Sequence, residues 1–504
     1  MAAAPVNDLL CDALPQDMRA GVLGGLRATV WLAAAGVPFS YAIRVLLARL
    51  GPEPLAVYGL LLVYVNFVAA FLFLGGNAVA IRFLPALPPA ARRGFVQACF
   101  LLSLLAWLPW LAVAAWRPSW LHWLFGGLGG RGFALAMIAL APVPILFSLL
   151  LAALKGLLQL AAAQWIYRSV TFGMFAACAL LFLAARSLVL AHPAALVWGC
   201  YLALDLAGAA AAWMLLRRHS SPAPAAARLR LPSGFWPFTL SLQGSSMLGF
   251  FATQLDMLLV LHAAGIARFG KYVALMTLAA MAATAVKLLL DVLMASLTHA
   301  LARHDAALAG AVWRSHCRML VPLILALNLG LACLAAPALA VYGRGYASLA
   351  SALRWLGPLA ALACANYLLG STLAALGLPH LEMRAKVVRI AAYLVLFFPL
   401  WSRAGLVGAV LAWGGAEIPY QAMNLWYLQR RAPFPLHGTR LYCAFLAALA
   451  AAAWALQLVP PAGWLAGVAT LAALLAAFLL AAGYTARQLA GHLRVLALGA
   501  GGRA

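Results

Sequence analysis

Lys287 and Asp291 stand one helical turn apart in TAVKLLLDVLM, residues 284–294, within a stretch that is otherwise apolar. In hydrocarbon an ionised side chain is costly unless it is paired or wetted. At that spacing the two residues can neutralise each other as an i, i+4 pair, or they can line a water-filled path and offer charge to a ligand. At about 100° per residue, Thr277, Thr284, Lys287, Asp291 and Thr298 share an arc of roughly 80°, a polar stripe. The preceding apolar segment carries a second stripe, Thr239, Gln243, Ser246, Thr253 and Gln254, within about 100°, with Asp256 on its flank. Lipid cannot satisfy such stripes, so both face protein or water. Further charges interrupt apolar segments at Arg27, Arg44, Arg354, Asp205 and Glu417. Arg27 and Arg354 lie near segment ends, where a long side chain can snorkel to the interface. Arg44 follows Pro38, which kinks a helix or frees a carbonyl. The acids either bind a coupling ion or set the charge of a basic neighbour.

The elements that must position these residues follow from composition. Of 504 residues 67% are hydrophobic and 9% charged, which places the chain among polytopic membrane proteins. Apolar runs of about 18 residues or more recur along its whole length. Fourteen spans are predicted, centred near residues 35, 68, 105, 145, 177, 205, 248, 284, 329, 362, 396, 416, 450 and 473. With the N-terminus placed in the cytoplasm, 22 of the 34 Lys and Arg residues fall in cytoplasmic segments, eight on the opposite side and four inside spans. That bias predicts both termini inside. Most of the net charge of +24 is therefore an orientation signal and a match to anionic headgroups, with no call for nucleic acid.

Several chemistries are excluded. Asp8, Asp12 and Asp17 precede any basic residue, so the start does not read as a signal peptide and the first span reads as an uncleaved anchor. The eight cysteines form no CxxC and sit mostly in apolar runs, as small hydrophobes. GLGGRG at 127–132 follows no strand, which removes it as a dinucleotide site, and no P-loop lysine motif occurs. The chain reads as a non-enzyme that needs no metal or cofactor, so transport would draw on a gradient, on substrate supply or on a partner.

Two echoes reveal a repeat. Gly51 precedes Tyr58 by seven residues, as Gly265 precedes Tyr272; LAALKGLLQL from Leu151 returns as LAALGLPHLEM from Leu373. The offsets are 214 and 222. A unit of six spans is thus duplicated, and an even number makes the copies parallel about an axis along the membrane normal. Asp205 and Glu417 occupy equivalent positions in spans 6 and 12. The predicted organisation is a cytoplasmic segment 1–21, a first lobe 22–216, a basic Pro/Ala/Ser-rich linker 217–234, a second lobe 235–430, and spans 13 and 14 with a cytoplasmic tail in 431–504. The last two spans hold few polar residues and are expected to face lipid.

LLARLGPEPLAVYGLLLVYVNFVAAFLFLGGNAVAIRFLP at 46–85, TQLDMLLVLHAAGIARFGKYVAL at 253–275 and VYGRGYASLASALRWLGPLA at 341–360 resemble Wzx-type polysaccharide repeat-unit flippases of the multidrug/oligosaccharidyl-lipid/polysaccharide (MOP) exporter superfamily. The resemblance spans most of residues 22–430 as a spaced pattern of Gly, Tyr, Asp and Arg. LMASLTHAL lacks a proline often found at the end of span 8. The resemblance implies an all-α, MATE-like fold of two six-helix lobes plus two C-terminal helices. It also implies an inner-membrane transporter that carries an undecaprenyl-pyrophosphate-linked oligosaccharide to the periplasmic leaflet, with membrane lipids, a polysaccharide polymerase and chain-length machinery as candidate partners. Arg27, Arg44, Lys287, Arg354, Gln243 and Thr253 are then candidates for the headgroup. Asp205, Asp256, Asp291 and Glu417 are candidates for setting charge or coupling to H+ or Na+. A peptidoglycan lipid flippase and a cation-coupled drug antiporter remain alternatives within the superfamily; a membrane polysaccharide polymerase or ligase is the alternative of another class, although it would normally carry a larger extracytoplasmic loop.

Overall fold

Proline opens five of the long helices, at Pro52, Pro89, Pro142, Pro193 and Pro379; its fixed φ suits the first turn, where its missing N–H costs nothing. In this computed structural model the described backbone comprises residue 32 and residues 35–484, apart from 75, 118, 121–124, 127–129, 158, 185, 219–230, 303–305, 435–438 and 462. Side chains are also left undescribed at 76, 86, 130, 131, 288, 289, 291–296, 298–300, 302, 439 and 440. The described chain is all helix, with no strand. Its helices are α1 (35–50), α2 (Pro52–Phe67), α3 (Gly76–Phe83), α4 (Pro89–Trp116), α5 (Gly130–Ala139), α6 (Pro142–Gly156), α7 (Leu160–Ala184), α8 (Arg186–Ala191), α9 (Pro193–Arg218), α10 (Phe235–Ala302), α11 (Ala306–Cys333), α12 (Ala335–Ala340), α13 (Ala350–Ala375), α14 (Pro379–Arg431), α15 (Thr439–Leu458) and α16 (Trp464–Ala482).

Among the described residues eleven segments are long and apolar enough to cross a membrane, and two of these run for 53 residues. One crossing needs about 20 residues, so each long segment is a pair of spans. α10 breaks at Gly265 (φ 74) and α14 at Gly405 (φ 54), conformations that a Cβ would strain. Counting both pairs and adding α1, where the first predicted span falls, returns about fourteen. Gly51, the repeat partner of Gly265, also has positive φ, at 146. The residues seven places on, Tyr58 and Tyr272, are both buried.

The contacts divide the chain into two compact units, residues 1–274 and 275–504. That boundary lies inside α10, some 40 residues beyond the linker expected at 217–234. In the first unit α2 is the most buried span, pinned where Trp198 Nε1 donates to the Val57 carbonyl at 3.3 Å and Tyr64 donates to that of Met137 at 2.8 Å. A π-helical turn, Val68–Leu72, follows α2. Gln243 Nε2 donates to the carbonyl of Ala70 in that turn at 2.6 Å, satisfying backbone that hydrocarbon cannot. Small residues let helices close up: Gly208 on α9 faces Phe147, and any side chain at Gly270 would collide with the Pro52 carbonyl.

In the second unit α13 is the central helix and packs on both α11 and α14. Gly357 brings α13 against Ala332 of α11, and Gly414 brings α14 against Leu359 of α13. α15 and α16 pack on α11, where Gly467 lies against the Cys333 carbonyl.

Candidate functional site

Four side chains follow one face of α14 before its break: Glu382, Lys386, Arg389 and Tyr393. After the break Glu417, Tyr420, Gln421 and Asn424 follow one face of the returning helix. The reversal at Gly405 brings the two stripes together. Arg389 Nη2 lies 2.6 Å from Glu417 Oε1, the glutamate almost wholly buried. Asn366 on α13 donates its amide to Glu417 Oε2 at 2.6 Å and to the Glu417 carbonyl at 3.1 Å. One layer away Lys386 Nζ pairs with Glu382 Oε1 at 2.9 Å, and Tyr420 donates to that oxygen at 3.2 Å. The two acids of the second unit with described side chains, Glu382 and Glu417, are therefore each engaged by a cation.

Lys287 stands apart from this network. It is exposed on α10, and its Nζ lies over the Tyr367 ring, 4.2 Å from the centroid. Val286 and Leu290 on the same helix are buried in the core of the unit, so the apolar face turns inward and Lys287 outward. Tyr367 adjoins Asn366, and Cys364, one turn back on α13, is within electrostatic range of both Lys287 and Glu417. A ring face contributes about 0.5–1 kcal/mol at an exposed site and cannot neutralise the ammonium. Among the described side chains Lys287 has no acidic partner. Asp291 lies on the helix with its side chain outside the described residues, as does that of Thr298. Thr277 is buried, while Thr284 is exposed and bonds back to the Ala280 carbonyl at 2.7 Å.

The first unit holds a different set. Asp205 on α9 is wholly buried, and Tyr201 lies beside it without the geometry of a hydrogen bond. Asp256 is buried and accepts from Tyr272 at 2.9 Å. Arg44 is half-buried, donating to Ser40 at 3.3 Å with its guanidinium 5.6 Å from the Tyr58 ring. Gln243 serves the π-helical turn, and Thr253 is exposed with its hydroxyl on the Gly249 carbonyl at 2.9 Å. In the second unit Arg354 donates to the Leu456 carbonyl of α15 at 3.1 Å. Arg27 lies outside the described residues. The structure thus joins Glu417 to an arginine not among the predicted site residues. The three- and four-residue spacing from Glu382 to Tyr393 is the signal in the sequence that sets Arg389 on a shared face of α14. Among the described residues no three potential metal ligands gather.

No family model and no curated protein matches the chain. Solved structures do. An inward-facing multidrug resistance MATE family transporter of the MOP superfamily superposes with a TM-score of 0.65 at 13% identity, over 80% of this chain and 98% of the other. The lipid II flippase MurJ, in an inward closed conformation, gives 0.63 at 10% identity over 90% and 98%. A MOP superfamily transporter from Pyrococcus furiosus, described as having a binding pocket of reverse polarity, gives 0.59 at 14% over 85% and 98%. At these identities the likeness is one of fold: the chain is a multi-pass membrane protein with the architecture of MOP-superfamily transporters.

Proposed function

We propose that the chain flips an undecaprenyl-pyrophosphate-linked oligosaccharide from the cytoplasmic to the periplasmic leaflet by alternating access, as a Wzx-type flippase of the bacterial inner membrane with both termini in the cytoplasm. The observation that carries this reading is the charge left open in the second unit. Both described acids there are engaged, and an exposed mid-span lysine remains, its one contact among the described side chains being the face of Tyr367. Such a site suits an anion, and a pyrophosphate is the part of a lipid-linked sugar that hydrocarbon rejects most strongly. The likeness to a lipid flippase over 90% of the chain supports a lipid-linked cargo. Within the second unit a drug or cation antiporter would instead leave acids open, and the two acids described there, Glu417 and Glu382, are closed by Arg389 and Lys386.

Deleting the gene should abolish a surface or exopolysaccharide and leave its lipid-linked repeat unit in the inner leaflet, while the cell stays viable. Radiolabelled sugar incorporation followed by lipid extraction measures this. An unchanged polysaccharide, or loss of peptidoglycan synthesis with lysis, would overturn the reading.

A further inference from the structure

Across residues 54–80, through α2, the π-helical turn and into α3, the described side chains that stand exposed are Asn66, Ala69 and Asn77; the others are buried or half-buried. Asn66 lies about 20 Å along the helix from its start at Pro52, deep in the bilayer. A carboxamide finds no partner in hydrocarbon and is costly there. A stripe that opens two asparagines on the most buried span of the first unit therefore opens to water. Asn66 Nδ2 donates to the Leu62 carbonyl at 3.0 Å, which keeps its oxygen as the atom that can accept a ligand donor. The frame beneath the stripe is fixed. Between the two asparagines lies the π-helical turn Val68–Leu72, a form frequent at functional sites, and Gln243 of α10 holds it through the Ala70 carbonyl. Phe67 stacks on Phe71 at 4.9 Å, and Trp110 of α4 and Phe250 of α10 close on that pair edge-on at 5.5 and 5.4 Å. Such backing keeps polar groups in place for a ligand.

The stripe is also neutral. Asn77 follows Gly51 by 26 residues, as Asp291 follows Gly265 by 26; where one copy of the repeat carries Thr284, Lys287 and Asp291, the other carries two asparagines. A carboxamide both donates and accepts, which matches a sugar hydroxyl, itself a donor and an acceptor. Phosphate oxygens accept only and are served better by a cation. We propose that Asn66 and Asn77 form a sugar-binding subsite of the transporter, hydrogen-bonding the hydroxyl groups of the oligosaccharide, with Ala69 between them small enough to let a ring approach the helix. The two asparagines are about three turns apart, so the subsite is longer than one sugar ring and reads a chain of sugars. This deepens the transport reading and rests on it for the cargo.

Two measurements test it. In the first, the purified full chain is offered two lipids in competition, the lipid-linked oligosaccharide extracted from cells deleted for the gene and bare undecaprenyl pyrophosphate, and native mass spectrometry counts what it retains. The wild type should favour the sugar-bearing lipid. Asn66→Ala and Asn77→Ala should each cut that preference about two- to tenfold, the worth of one neutral hydrogen bond, at unchanged protein amount, whereas Lys287→Ala should weaken both lipids alike. A preference as strong in the double alanine variant as in the wild type, or a wild type that binds the two lipids equally, would overturn the subsite. A wild type that retains neither lipid contradicts the transport reading instead. The second measurement needs no cargo. In membranes, Asn66→Cys, Ala69→Cys and Asn77→Cys should each react with a charged, water-soluble thiol reagent, and Val68→Cys, buried in the same turn, should not, with peptide mass spectrometry locating the label. Stripe positions that stay unlabelled would overturn the water-facing subsite whatever the cargo.

Discussion

Replacing Arg389 with leucine is expected to strip the membrane of most folded protein. Glu417 would be left as a buried carboxylate held only by the Asn366 amide, and removing one partner of a buried ion pair costs about 3–5 kcal/mol. That is a large share of the roughly 5–15 kcal/mol by which folded proteins are stable. The double change of Arg389 and Glu417 to leucine should recover the level, because apolar replacement of a whole buried pair is often neutral or stabilising. Fluorescence-detected size exclusion of a tagged chain reads both. A single variant that elutes like the wild type would mean that the pair does not hold the second unit together.

Lys287→Ala should do the reverse, lowering export while leaving protein amount unchanged. Lys287 is exposed, and it contributes to the unit a ring contact rather than a buried bond. A charge-assisted contact with a phosphate oxygen is worth about 1.5–3 kcal/mol, so transport should fall roughly ten- to a hundredfold. Lys287→Arg should keep part of the activity, since charge matters more than shape for a loosely held headgroup, and Lys287→Glu should lose more than alanine does. If Lys287 and Asp291 serve only each other, an apolar double variant would export normally; retained export in that variant contradicts an anion contact at Lys287.

The architecture was legible because the bilayer imposes a length on every element: apolar runs set the spans, and glycines at 51 and 265 mark equivalent breaks in both copies. Helical phase sets Lys287 and Thr284 on one polar stripe, and both side chains are exposed on α10. The partner of Glu417 was not legible. Arg389 lies 28 residues earlier, on the other side of the reversal at Gly405, so the pairing depends on tertiary registration that periodicity within one helix cannot supply. Which acid gains a cation is decided by neighbours on other helices. Thr253 and Thr284 lie on predicted polar stripes, yet their hydroxyls turn to their own backbone, the ordinary alternative for threonine in a membrane helix.

The most direct test of the account follows the substrate itself across a bilayer. Purified chain reconstituted into vesicles that carry a short-chain polyprenyl-pyrophosphate oligosaccharide in both leaflets should render the whole pool cleavable by an external glycosidase. Vesicles without protein, or with Lys287→Glu, should protect the inner-leaflet fraction. Wild-type vesicles that protect that fraction as fully as protein-free ones would contradict the proposed function.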